Sequence, residues 1–293
     1  MRLAILTVLI AIALGAFWAI TRPQPLPASA FAGLTGDAEA GAAVFWATGC
    51  ASCHAAPGAQ GEDRLVLAGG RDLASDFGTF RVPNISTNPT HGIGGWSLAE
   101  FGNAMLRGVA PDGRWYYPAF PWASYRFATL QEVADLKAFM DTLPASTTPN
   151  SAHDLPLPLR WRRGIGLWAQ MLPEGWALDI PLTEAETRGR HLVEALAHCA
   201  ECHTPRTAWG TLDRRRWLAG APNPSGPGRI PGLTPAQLSW SEAEIAGYLA
   251  SGFTPSFDTA GGTMADVVAS LAQLPRSDLD AIAAYLKRVP PVE

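Results

Sequence analysis

Charge is scarce in this chain of 293 residues: 16% of positions carry Asp, Glu, Lys or Arg, and the net charge is −4. With a pI of about 5.9, there is no basic surface to attract a phosphate backbone, which argues against nucleic-acid binding. Cysteine is scarcer still, at four residues, and methionine stops at five. No segment alternates convincingly as a β-strand, and no nucleophile with an adjoining acid–base pair stands out.

The four cysteines account for themselves. They fall in Cys50-Ala51-Ser52-Cys53-His54 and Cys199-Ala200-Glu201-Cys202-His203, two copies of C-x-x-C-H. That pattern is the attachment signature of c-type haem. The two thiols add to the haem vinyl groups and the adjacent histidine becomes the proximal iron ligand. A dithiol redox pair or a zinc site also uses C-x-x-C. Neither needs histidine at the next position twice, and a zinc site would have to join pairs 145 residues apart. The reading is two covalently attached haem c groups, held by Cys50, Cys53 and His54 and by Cys199, Cys202 and His203.

In chain order, Leu3 to Ile20 is a run without charge, followed by Thr21-Arg22-Pro23. Residues 1–22 are therefore either a membrane anchor or a signal peptide. The run exceeds the roughly 7–15 residues of a signal h-region, which favours an anchor, while Ala28-Ser29-Ala30 resembles a cleavage site. Both readings export the remainder. Residues 23–36 form a Pro-rich tether. Residues 37–143 and 183–293 form two haem domains, joined by a linker at 144–182 that carries the basic aromatic patch Arg160-Trp161-Arg162-Arg163. The linker either wraps the domain surfaces or meets a membrane or partner.

Helices are expected from Asp37, from Ser97 to Leu106, and from Leu130 until Pro144 stops it. In the second half they run from Glu184 to Ala197, from Ser241 to Leu249, and from a cap at Ser277 or Asp278 to Arg288. The fold class is all-α: two tandem cytochrome c-like domains behind an N-terminal anchor or signal helix.

The halves align internally. Trp96-Ser97 pairs with Trp240-Ser241 and Gly108 with Gly252, while Pro83-Asn84-Ile85-Ser86 matches Pro231-Gly232-Leu233-Thr234. This frame puts Met264 in a loop before the last helix, where its thioether would be the sixth ligand of the second iron. Its counterpart is Phe120, which cannot ligate. Met105 and Met140 align with leucines and read as core. The first haem is then five-coordinate, or takes an off-register ligand such as His91 or Met140.

The chain resembles the membrane-associated multi-haem cytochrome c subunits of periplasmic dehydrogenases, such as alcohol and gluconate dehydrogenases. The resemblance covers most of residues 37–293. It rests on Leu67-Ala68-Gly69-Gly70, Gly92-Ile93-Gly94-Gly95-Trp96, Tyr117-Pro118-Ala119-Phe120-Pro121, Cys202-His203-Thr204-Pro205-Arg206 and Met264-Ala265-Asp266-Val267-Val268. Those subunits commonly carry three haems, against two here, and can carry Met where this chain has Phe120. The resemblance implies a periplasmic-side electron carrier rather than an enzyme in itself. Its partners would be a dehydrogenase subunit and a quinone or oxidase acceptor, with membrane attachment through the N-terminal helix if that is uncleaved. The alternative is a haem enzyme or sensor, with an open first haem that binds peroxide, NO or CO and with His91 or Arg126 as acid–base candidates.

Overall fold

A computed structural model describes residues 1–224 and 226–292. It begins with α1 (Arg2–Thr21), an apolar helix of mean hydropathy 2.6 with no part of its apolar window buried. Its last residue, Thr21, is fully buried. The tether is not loose. Leu26 exchanges hydrogen bonds with the Asn103 side chain, and Phe31 packs over Gly102, where a Cβ would collide with its ring.

Domain one contains α2 (Ala38–Thr48), α3 (Cys50–His54), α4 (Leu98–Arg107), α5 (Trp122–Tyr125) and α6 (Leu130–Met140). Asp37 caps α2, accepting from the Glu39 and Ala40 amides. Ser97 and Thr129 open α4 and α6 with reciprocal capping boxes to Glu100 and Glu132. The linker contributes two short helices, α7 (Leu157–Arg160) and α8 (Arg163–Ala169), the second set against the end of α1. Domain two contains α9 (Glu184–Arg190), α10 (Ala200–His203), α11 (Glu242–Ser251), α12 (Thr263–Leu271) and α13 (Arg276–Arg288). Helices α4 and α11 end alike, on Gly108 and Gly252 in the left-handed region.

Two details depart from expectation. Short antiparallel pairs exist, β1 (Asp72–Ser75) with β2 (Gly78–Arg81) and β3 (Ala221–Pro222) with β4 (Arg229–Ile230). They are hairpins too brief to show alternation. The last helix starts at Arg276 after Pro275, so Ser277 and Asp278 lie inside it. Asp278 is drawn inward because its carboxylate takes both Arg188 donors, at 2.9 and 2.8 Å.

Each domain is built on one crossing of its first and last long helices. In domain one α2 crosses α6 at Gly41, and in domain two α9 crosses α13 at Gly189. A Cβ on either glycine would fall inside a backbone carbonyl of the opposing helix, at Asp135 or Ala281. From this shared point the halves diverge by one residue. Gly41 lies nine positions before Cys50, and Gly189 lies ten before Cys199. Domain two absorbs the extra residue as a π-helical segment, His191–Leu196.

That segment buries Glu194, whose carboxylate accepts from the Ala177 amide at 2.8 Å and from the Tyr285 hydroxyl. Burial pushes the Glu194 carboxyl above its usual 4.5. An acid whose folded pKa is raised resists ionising in the native state, so stability is present below about pH 4.5 and falls as pH rises through the raised value. Glu194→Gln, which keeps the acceptor and removes the charge, will flatten this fall in urea denaturation between pH 5 and 8, roughly the range of ordinary maximal stability. An unchanged slope would mean that Glu194 is not its source.

Candidate functional site

The two C-x-x-C-H segments occupy matching positions. Each follows a residue in the left-handed region, Gly49 at φ 64° and His198 at φ 41°. Glycine adopts this turn freely, whereas histidine does not. His198 is held there by donating from Nδ1 to the Leu196 carbonyl at 3.0 Å and by packing on Tyr125 of domain one at 5.3 Å between ring centroids.

His54 and His203 are oriented identically. His54 Nδ1–H donates to the Pro83 carbonyl at 2.8 Å, and His203 Nδ1–H to the Pro231 carbonyl at 2.7 Å. The histidine carbonyls in turn accept from Gly69 and Gly220 amides at 2.7 and 2.8 Å. Fixing the proton on Nδ1 leaves the Nε2 lone pair for a metal and aims it. Burial pushes the His54 imidazole down to about 4 and that of His203 in the same direction, so both are neutral ligands at neutral pH.

No disulfide joins the four cysteines; Cys53 and Cys202 are exposed and Cys50 and Cys199 half-buried. Burial pushes the Cys50 thiol up to about 11 and Cys199 to about 12. A redox dithiol needs the opposite, a depressed pKa. Among the described residues no three His, Cys, Asp or Glu side chains converge as a metal cluster, so the two pairs do not form a joint zinc site. A protonated thiol pair beside an aimed, neutral imidazole, against a continuous apolar core, is the donor set that haem c requires.

Gly69 enters the sequence reading only within a family resemblance, and Gly220 carries no sequence signal of its own. Both have positive φ, 70° and 77°, and a Cβ on Gly69 would meet Asn84 N at 2.6 Å. Gly69→Ala will therefore displace the Pro83 carbonyl from His54. The backbone strain is on the order of 1–2 kcal/mol before the clash. The expected readout is a fall in haem-to-protein ratio from two toward one, with domain two unaffected. A normal ratio and melting temperature would sink this account of the cradle.

Met264 lies in the first turn of α12, not in a loop. Gly262, at φ 56°, turns the chain into the helix and leaves Met264 partly buried against the core that contains both domains' motif residues. Phe120 packs instead in an aromatic cage, 5.7 Å from both Tyr116 and Tyr125. Met105 and Met140 are buried in the core, at 6% and 4% exposure. Arg126 turns to the linker, where its guanidinium donates to the Pro173 carbonyl and covers the Phe127 ring.

Each motif meets the opposite domain, in near-symmetry. Ser52, between Cys50 and Cys53, donates to the Asp266 carbonyl of α12 at 3.0 Å. Glu201, its counterpart, accepts from Ser124 of α5 at 3.1 Å. Arg71 pairs with Asp266 at 2.9 Å and His191 with Glu132 at 2.8 Å. Burial and then Glu201 raise the Cys202 thiol, and Cys53 adds to the rise from the other domain.

Comparison with known proteins matches the cytochrome c family model over residues 38–144 and 186–290. A di-haem cytochrome c-type protein of Cereibacter sphaeroides is 56% identical over 98% of this chain and 96% of its own length. The fructose dehydrogenase cytochrome subunit of Gluconobacter japonicus is 34% identical over 91% of the chain. The cytochrome c subunit of the quinone-dependent alcohol dehydrogenase of Gluconobacter oxydans is 35% identical over 83%. The chain spans about half the length of these two dehydrogenase subunits, at 55% and 52%.

Proposed function

Because this chain belongs to the cytochrome c family and carries two haem c groups, we propose that it relays electrons from a dehydrogenase partner to quinone or the respiratory chain, at the periplasmic face of the membrane. Cys50, Cys53 and His54 hold one haem, and Cys199, Cys202 and His203 the other, with Met264 as sixth ligand of the second. The groups supply a reversible one-electron iron couple. The protein orients the histidines through Pro83 and Pro231, excludes water with its core, and holds the domains together through Ser52, Glu201 and Arg71. The observation that carries this reading is that each motif is hydrogen-bonded to the opposite domain, Ser52 to α12 and Glu201 to α5, so both attachment segments lie along one interface. The domains of the relay are residues 37–143 and 183–293, and α1 is kept as its anchor. Kinship to subunits of fructose and alcohol dehydrogenases supports the choice of donor.

The test is to purify the tagged full chain from its host's membranes in mild detergent. A dehydrogenase subunit should co-purify, and its sugar or alcohol substrate should reduce both haems, read in the visible α band. Haems that remain oxidised with every co-purifying enzyme's substrate would refute the proposed donor.

A further inference from the structure

The linker is the part of the molecule that electron transfer leaves unexplained. It does not simply connect the domains. Trp161 and α8 close on the last turns of α1: Trp161 stacks on Phe17 with ring centroids 5.5 Å apart, and the Arg163 guanidinium lies 3.6 Å over the Trp18 ring. Gln170 donates to the Ile20 carbonyl at 3.3 Å, and Trp115 of domain one donates to the Thr21 carbonyl at 2.9 Å. Gly166 lies so near Thr21 that a Cβ would collide with its backbone. The axis of α1 is thus fixed relative to domain one rather than hanging on a free tether.

The same segment exposes large apolar side chains. Leu157, Trp161, Leu167 and Met171 are 77%, 59%, 50% and 40% exposed. From Leu155 to Pro173 there is no acidic residue, while Arg160, Arg162 and Arg163 are all present. A monomer seldom leaves so many large apolar side chains together in water. Trp beside Arg, with Leu and Met, is the composition of a segment lying in a bilayer interface, where indole rings sit at headgroup level and guanidinium groups meet phosphates.

Position supplies the argument for the occupant. Helix α1 is 20 residues long, about 30 Å, which matches the hydrocarbon thickness of a bilayer. Trp161 stacks on Phe17, one turn before the helix ends. If α1 spans, that turn lies at the boundary between headgroups and acyl chains, and Trp161, itself exposed, joins the linker to the apolar surface of α1.

We infer that residues 157–171 form a lipid-docking foot, which inserts Leu157, Trp161, Leu167 and Met171 into the outer leaflet and sets phosphates of anionic headgroups against Arg160 and Arg163. The foot rests on the reading of α1 as a retained anchor. It fixes the height and tilt of the haem domains above the membrane, where a one-point tether would let them swing.

The experiment places the full holo-chain in nanodiscs of phosphatidylethanolamine and phosphatidylglycerol, doped with a phospholipid that carries a diazirine high on its acyl chain. After irradiation, lipid adducts are mapped by peptide mass spectrometry. Adducts are expected on 157–171 as well as on 2–21, and Trp161→Glu combined with Leu167→Glu should remove the former while the haem spectrum stays intact. Labelling confined to 2–21 overturns the foot and leaves the anchor standing. A mature chain that lacks the N-terminal peptide ends the anchor reading, and the foot falls with it. A segment that takes no lipid but cross-links to another protein in native membranes is a protein interface, and the inference falls.

Discussion

Met264→Ala will convert the second haem from a closed centre to one that binds carbon monoxide in the reduced state, and will lower its potential. On the proposed ligation, removing the thioether takes away the ligand that favours the reduced iron, and axial ligand identity moves haem potentials over a range of about 0.8 V. Met264 is only partly buried, on the first turn of α12, so truncation costs less packing than a core deletion. Titration with carbon monoxide, with the haems distinguished by potential, reads the result. The parent chain provides the contrast: with Phe120 caged by Tyr116 and Tyr125, the first haem should bind carbon monoxide already, and Phe120→Met should diminish that binding. Unaltered spectra in Met264→Ala would remove Met264 from the ligand set. A parent chain in which neither haem binds carbon monoxide would show that domain one supplies a sixth ligand of its own.

The second large effect concerns packing. Gly189→Val will unfold domain two selectively, and Gly41→Val domain one. At both crossings the opposing backbone carbonyl, of Ala281 or Asp135, occupies the space a side chain would need, and the next contacts are Tyr285 Cβ at 2.8 Å and Phe139 Cβ at 2.9 Å. Backbone cannot swing aside as a long side chain does, so the helices must separate. Overpacking of this kind costs about 3 kcal/mol, a large share of the marginal stability of one domain. The measurement is denaturation followed at each haem's own band. Loss of one haem environment at lower denaturant, with the other retained, is the expected result, and simultaneous loss of both would mean that the interface makes the domains a single cooperative unit.

Much of this protein is local chemistry and can be read without a structure. The haem motifs are contiguous in sequence, and the helix starts at Asp37, Ser97 and Ser241 are capping interactions within a few residues. The repeat made Phe120 conspicuous because it broke a pattern. The last helix starts earlier than its sequence suggests because Asp278 looks like a cap to its neighbours. It is instead spent on Arg188, ninety residues away.

What only the tertiary structure decided is what has no side-chain signature or no sequence proximity. The carbonyls of Pro83 and Pro231 that aim the histidines are backbone atoms, available at any residue, and distance alone selects them. The extra residue in domain two became a π-turn because the Gly189 crossing and the Cys199 attachment point are both held in place, leaving the helix between them to absorb it. Ser52 with Asp266, His191 with Glu132 and Trp161 with Phe17 are ordinary residues until folding sets them side by side. Sequence by itself determined the two haem domains, because covalent attachment and helix capping are short-range. The apposition of those domains, and the linker's grip on α1, belong to packing between segments far apart in the chain, where only shape and burial choose the partner.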